Sequence, residues 1–285
     1  MADTLSSLVT TQWLADHLDD PNVAVLDASK HLPAANRNPR ADYEAAHIPG
    51  ARYLYLDTLT DKASSVPAAL PTPDQVGERL AELGVAPGNT IVLYDDSGVK
   101  TSARSWFALT SVGVANVSVL DGGLAKWRSE GRQVESGMPK VVPAQRMALA
   151  SSTRVRSKAD MLANLESHAE QVLDARAADR VFGNGIDPVH GGQNGRIPGA
   201  LNLPFGKVFT EDGTYRSGAE LRELFTGEAG LDLSRPIVTS CGSGVTASVL
   251  LFALHLAGVD TATLYDGSWQ EWEADPATPK AQGPA

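Results

Sequence analysis

The stretch Pro236-Ile237-Val238-Thr239-Ser240-Cys241-Gly242-Ser243-Gly244-Val245-Thr246-Ala247 decides how this chain is read. Pro236 to Ser240 has the length and apolar character of a short buried strand. Val245 to Leu256 is apolar nearly all round, which predicts a buried helix. Between them, Gly242 and Gly244 let the backbone turn sharply. A strand, a tight turn and a helix form the building unit of a mostly parallel sheet, and ligands in such folds sit at the carboxyl ends of strands. Cys241 falls at that place. A turn of this kind can aim successive N–H groups into one cavity, and a helix starting near Val245 adds its own unsatisfied amides and the positive end of its dipole. A thiolate at the centre would be stabilised, as cysteines at helix N-termini generally are. The loop holds no Lys or Arg, so amides, dipole and hydroxyls must supply the stabilisation. A lone cysteine ending a buried strand can also be a small apolar filler. The flanking glycines and the absence of any other Cys favour a reactive thiol.

Working outward, the chain repeats itself. Val25-Leu26-Asp27-Ala28 returns as Val172-Leu173-Asp174-Ala175, and His47-Ile48-Pro49-Gly50-Ala51 returns as Arg196-Ile197-Pro198-Gly199-Ala200. Asp95-Asp96-Ser97-Gly98-Val99 answers Cys241-Gly242-Ser243-Gly244-Val245, and Leu120-Asp121-Gly122-Gly123 answers Tyr265-Asp266-Gly267-Ser268. Four matches in one order at nearly one spacing imply two homologous domains. The expected boundaries are 1–131, with Asp95 where the second repeat has Cys241, and 153–285. The polar stretch 132–152, carrying Pro139 and Pro143, is the expected linker. Within the second repeat, helices are expected at Lys158–Ser167, Gly218–Thr226 (with Ser217 as its cap), Val245–Leu256 and Trp269–Glu273. Strands are expected at Gln171–Asp174, Pro236–Ser240 and Thr261–Leu264. The fold class is α/β: two tandem domains, each a mostly parallel sheet covered by helices on both faces.

Composition narrows the function. The 285 residues carry 34 Asp and Glu against 24 Lys and Arg, a net charge of -10, and no basic block. That excludes sequence-independent nucleic-acid binding, which needs a basic face. No apolar run reaches the ~18 residues of a membrane span, and Met1–Leu8 lacks the character of a secretory leader. A single cysteine cannot form an internal disulfide, so a reducing, cytoplasmic setting is expected. The six histidines show no ligand spacing, so neither metal nor organic cofactor is expected. Cysteine phosphatases also cradle an anion around a strand–helix Cys, but they need an Arg six positions later, where this chain has Ala247.

These residues resemble the rhodanese superfamily, in the branch that prefers 3-mercaptopyruvate. The motifs are Tyr43-x3-His47-Ile48-Pro49-Gly50-Ala51, the Cys241 loop, and Tyr265-Asp266-Gly267-Ser268-Trp269-Gln270-Glu271-Trp272. The resemblance implies a sulfurtransferase whose second domain carries the nucleophile. It implies that Gly242, Gly244, Val245, Thr246 and Ala247 cradle the substrate, and that Ser243 joins a proton relay with His47. The relay Asp found upstream of that histidine in the family has no clear counterpart in residues 36–42. Arg180, in Asp174-Ala175-Arg176-x3-Arg180, matches the family arginine that grips the donor's carboxylate. A second family arginine after a Glu-Pro pair is missing, because Asp187-Pro188 is followed by Val189; Arg196 is the alternative source of charge. The glycine-rich run 183–195 reads as a loop over the pocket. The implied partners are a small anionic sulfur donor and a thiol, thioredoxin-like or cyanide acceptor. A thiosulfate:cyanide sulfurtransferase is the alternative with the same nucleophile, and a non-catalytic rhodanese-like binding module is the alternative of another class.

Overall fold

The computed structural model describes residues 6–283, so the reading of Met1–Leu8 as no leader lies largely outside the described residues. The chain divides into two compact units. One comprises 6–61, Leu70–Ser152 and Glu211–Thr214; the other comprises Lys62–Ala69, Thr153–Thr210 and 215–283. Residues 132–152 therefore travel with the first unit, where Ala144 N–H donates to Ala81 O at 2.9 Å and Ala150 N–H to Val112 O at 3.1 Å.

The first unit runs β1 (Leu8–Val9), α1 (Thr11–Asp16), β2 (Val23–Asp27), α2 (Pro39–Ala45), β3 (Arg52–Tyr53), α3 (Pro73–Glu82), β4 (Thr90–Tyr94), α4 (Thr101–Thr110), β5 (Val117–Leu120) and α5 (Gly123–Ser129). Its sheet has the order β1-β5-β4-β2-β3, parallel throughout. The second unit runs β6 (Val155–Arg156), α6 (Lys158–Ser167), β7 (Gln171–Asp174), α7 (Ala178–Phe182), β8 (Leu201–Asn202), α8 (Gly218–Glu223), β9 (Ile237–Ser240), α9 (Val245–Leu256), β10 (Thr263–Tyr265) and α10 (Ser268–Ala274). Its order is β6-β10-β9-β7-β8, again parallel. Each unit is thus a five-stranded parallel sheet with helices.

The repeat seen in the sequence is a repeat of packing positions. Val25, Ile48, Val92, Leu120 and Trp127 pack in the first core; Val172, Ile197, Val238, Tyr265 and Trp272 are their counterparts in the second. The central strand β9 is buried along its whole length, which is why it reads as an unbroken short run rather than as an alternation. Its helix α9 buries Ala247 through Leu254 without a gap.

Two element boundaries differ from expectation by more than one residue. The helix expected over Gly218–Thr226 ends at Glu223 and continues as a wider π turn, Leu224–Glu228, with Ala229 N–H reaching back to Leu224 O at 3.1 Å. The last strand begins at Thr263 rather than Thr261, where its register with β9 starts (Thr263 beside Val238). The helix start expected from Ser217 does carry a capping box, with Glu220, and Ser157 forms another with Asp160. No helix among the described residues is long and apolar enough to cross a membrane.

Candidate active site

Cys241 follows the last residue of β9 and is 1% exposed. Its carbonyl accepts the Trp269 N–H at 2.9 Å, and the Gly242 carbonyl accepts the Gln270 N–H at 3.0 Å. Both carbonyls therefore point toward the start of α10. In a trans peptide the next N–H points the opposite way, so the amides of Gly242 and Ser243 face away from α10. Gly244 sits at φ 81, a left-handed conformation that folds its own N–H back onto Cys241 Sγ at 3.1 Å. No side chain caps α9, which leaves the amides of Val245 and Thr246 at its first turn. Among the described residues no protein acceptor is bonded to the amides of Gly242, Ser243, Val245 or Thr246. The loop thus holds four amides without a protein acceptor, and a fifth, that of Gly244, lies on the sulfur.

A second hydroxyl supports the loop from outside. Ser268 Oγ accepts the Cys241 N–H at 3.2 Å and donates to Tyr265 O at 3.0 Å. Ser268 does this from φ 50, a left-handed conformation rare for a residue with a Cβ. The matching position of the first repeat is Gly123, at φ 57.

The first repeat shows what the loop looks like with its own anion. Asp95 stands where Cys241 would be; its Oδ1 accepts the Ser97 N–H at 2.9 Å and its Oδ2 the Ser102 N–H at 2.8 Å, in the first turn of α4. Its carbonyl accepts the Leu124 N–H at 3.1 Å, matching the Trp269 bond to Cys241. A carboxylate accepts from two amides of the loop and helix there, and the first repeat has no thiol.

Arg180, from the short helix α7, reaches the Cys241 loop: a methyl placed on Gly242 would lie 3.3 Å from its Nη2. The guanidinium makes a forked pair with Asp187, Nη2 to Oδ2 at 2.7 Å and Nε to Oδ1 at 3.1 Å. Burial would push the Asp187 carboxyl up. The Arg180 hydrogen bond, the Val189 N–H, the Arg180 charge and the His190 N–H outweigh it and hold the group below its ordinary value. Arg176 is wholly buried, bonded through Nη2 to Asp174 Oδ2 at 2.7 Å and Gly195 O at 2.6 Å, with its Cζ 4.8 Å from the centre of the Trp269 ring.

The glycine-rich run is a small closed hairpin rather than an open strap. Ile186 pairs antiparallel with Gln193, and Asp187 N–H donates to Gly192 O at 2.6 Å. Trp269 Nε1 donates to Gln193 O at 2.8 Å, which ties the hairpin to α10. At its tip His190 lies directly on Gly242: a Cβ there would be 2.1 Å from Nε2 and 2.5 Å from Cδ2. Reading the sequence alone passed over His190, Asp187 and Ser268 as site residues; the run of glycines and Asp187-Pro188 was the signal that a structured turn lay there.

The other expected residues are placed as follows. Ser243 is half-buried beside Cys241, and among the described residues its hydroxyl has no protein hydrogen-bond partner. Thr246 is half-buried, and Ala247 is buried on the inner face of α9. Arg196 is 7% exposed, donates from Nη1 to Gly283 O at 2.6 Å, and lies 4.9 Å from the centre of the Phe182 ring. Its main chain bridges Ala281, so it fastens the C-terminal segment. His47 belongs to the first unit. Its Nδ1 lies 2.9 Å from Tyr43 O, which can only accept, so Nδ1 carries a proton. The ring stacks on Tyr43 at 4.3 Å and is 1% exposed. Cavities of about 500 and 120 Å³ in the first unit are lined by no residue of the Cys241 loop.

The rhodanese-like domain matches twice, over residues 10–130 and 157–275. This chain belongs to the rhodanese family. It is 37% identical over 272 residues to the 3-mercaptopyruvate sulfurtransferase of Rattus norvegicus, covering 93% of this chain and 91% of that one. It is 36% identical to the 3-mercaptopyruvate sulfurtransferase of Escherichia coli strain K12, over 93% and 94% of the two chains. The thiosulfate sulfurtransferase of Rattus norvegicus is 35% identical, over 97% and 96%. The crystal structure of a 3-mercaptopyruvate sulfurtransferase from Escherichia coli superimposes with a TM-score of 0.83 over 93% of this chain and 99% of that one, at 34% identity. As a rhodanese-family protein of this group the chain is a sulfurtransferase, of the mercaptopyruvate or thiosulfate type.

Proposed function

We propose that this sulfurtransferase takes sulfur from 3-mercaptopyruvate onto Cys241 and passes it as a persulfide to a thiol, a thioredoxin-type protein or cyanide. The observation that carries the reading is the uncharged Cys241 loop, whose Gly244 N–H lies on Sγ and whose other amides have no protein acceptor among the described residues, with Arg180 reaching Gly242. Arg180 takes the donor's carboxylate, using the guanidinium edge not committed to Asp187. The thiolate attacks the donor's sulfur and the carbon–sulfur bond breaks. The bonding pair leaves on carbon as pyruvate enolate, and the proton first held by the donor's thiol ends on that carbon. The bound sulfur is left as the anionic outer atom of Cys241–S–S⁻. Ser243, two residues after Cys241 and with a half-buried hydroxyl, is the group that passes this proton in this reading. The amides of Gly242 to Thr246 then stabilise the persulfide as an oxyanion hole stabilises an alkoxide. Attack by the acceptor restores the thiolate, so the kinetics are ping-pong. Arg180 rather than Arg196 is the substrate arginine in this reading, because Arg196 is engaged with Gly283 and Phe182.

Thiosulfate is the second reading, supported by the 35% identity to a thiosulfate sulfurtransferase. The neutral Gly242-Ser243 pair disfavours it, since a compact dianion calls for a cation beside the thiol. The deciding experiment assays both donors in parallel with cyanide as acceptor, with Cys241→Ala as control, and weighs the intact protein after donor alone. Preference for mercaptopyruvate, a gain of about 32 Da (one sulfur atom) and loss of both in the control are expected. Preference for thiosulfate transfers the reading to the second donor. Activity surviving in Cys241→Ala removes Cys241 from the mechanism.

A further inference from the structure

His190 has an environment that the proposed mechanism does not use. Its ring rests on the backbone of Gly242, the residue that follows the nucleophile, closer than any Cβ at that position would allow. The ring is placed there by its own turn: Asp187 Oδ1 accepts the N–H of Val189 at 2.8 Å and that of His190 at 3.3 Å, and Gly191 N–H donates to Asp187 O at 2.9 Å. Asp187 is in turn clamped by Arg180. The same carboxylate therefore positions both the arginine and the imidazole at the rim of the loop.

The ring itself is unoccupied chemically. Among the described residues, neither nitrogen of His190 has a hydrogen-bond partner. By contrast Nδ1 of His17 and of His47 faces a carbonyl, and His31 and His255 face carboxylates. Burial lowers the affinity of His190 for a second proton; the charge of Asp187 opposes this, and those of Arg180 and Arg176 reinforce it. A half-buried neutral imidazole offers one N–H donor and one acceptor, and here neither nitrogen is sealed from solvent, so both are open to a ligand.

We propose that His190 is a donor-recognition residue: beside Arg180, its ring N–H binds an oxygen of the α-keto acid and fixes the sulfur over Cys241. The inference rests on the functional reading above and adds a second recognition group to it. It also explains Gly242, since only a residue without a Cβ admits the ring at this height.

The test uses the full chain with two substitutions. His190→Phe keeps a ring of similar size and removes both nitrogens; His190→Gln returns an amide near the position of Nε2. Pyruvate binding is measured by calorimetry, and KM and kcat with 3-mercaptopyruvate by steady-state kinetics. His190→Phe is expected to weaken pyruvate and raise KM about fivefold to tenfold with kcat within about twofold, the effect of one lost hydrogen bond, and His190→Gln to recover most of the loss. Values for His190→Phe within about twofold of the unaltered protein overturn the proposal. So does a glutamine variant as weak as the phenylalanine one, which would make the ring a packing element, and so does absence of pyruvate binding by the unaltered protein. Pyruvate binding that depends on His190 in a protein that gains no sulfur from either donor would sustain the recognition role and defeat the sulfurtransfer from mercaptopyruvate.

Discussion

At the scale of single residues, the site is set by two positions where side-chain size and backbone conformation oppose each other. Gly242 has no room for a methyl group: its Cβ would fall 2.1 Å from His190 Nε2. Gly242→Ala must displace the imidazole or the loop. Overpacking of about 1–3 kcal/mol predicts a fall in kcat/KM for sulfur transfer of roughly tenfold to a hundredfold. Gly242→Ala combined with His190→Ala should fall less than the two separate losses multiplied together, because the clash is gone; strictly multiplicative losses would show that the two residues do not meet. Ser268 holds the Cys241 amide from a strained left-handed backbone. Ser268→Ala keeps the strain and loses the hydrogen bond, so it should lower stability by about 1–2 kcal/mol in urea titration. Ser268→Gly loses the bond but relieves the strain, so it should cost less than Ser268→Ala. The reverse order would mean that the left-handed backbone at Ser268 carries no strain that glycine relieves.

At the scale of elements, strand β9, the loop after it and helix α9 were legible because local pattern and tertiary role agree there. An apolar run of strand length, two glycines and an all-round apolar helix have few other arrangements in a parallel sheet. The same unit in the first repeat is held differently, and this makes a test possible. Asp95 closes the loop by accepting from Ser97 and Ser102 in the first turn of α4. Asp95→Ala leaves two buried N–H groups without an acceptor and should lower stability by about 2–4 kcal/mol, read as the urea midpoint of the far-ultraviolet signal. Asp95→Asn keeps one accepting oxygen and should lose roughly half as much. Short elements were less legible. Helix α7, which carries Arg180, is only Ala178–Phe182, and strand β8 only Leu201–Asn202. Runs that short show no periodicity, and the sheet rather than the local sequence defines them.

At the scale of the whole molecule, the pH dependence of stability has an identifiable contributor. Burial raises Asp27 from its usual 3.8 to about 6, against the lowering effect of its hydrogen bonds with Ser29 and Tyr94 and with help from the charge of Asp95. A carboxyl raised on folding is bound more tightly to its proton in the folded chain. Its stabilisation is present in full below about pH 4 and is lost as pH rises toward 6; a shift of this size is worth about 3 kcal/mol. Asp27→Asn, which cannot ionise, should therefore gain stability over the unaltered protein as pH rises from about 4 to 6, and hold that gain above 6. Urea titrations at pH 4, 6 and 8 check this; a difference that does not change with pH would refute the assignment.

By itself the sequence determined that there are two homologous α/β repeats, that one carries a thiol at a strand–helix turn while the other carries a carboxylate, and that no cation stands within the thiol loop. Those properties depend on period, on residue type and on neighbours along the chain. The motifs also pointed to Arg180, which the fold does bring to Gly242. Only the tertiary structure decided that Asp187 clamps Arg180, that Arg196 fastens the C-terminal segment, and that Ser268 supports the Cys241 amide. It alone set His190 upon Gly242, two residues from different loops with 51 residues between them in the chain. The physical reason is one of range. Backbone propensity and apolar periodicity act over a few residues, whereas which polar groups meet is settled when the sheet brings the loops at its carboxyl edge together.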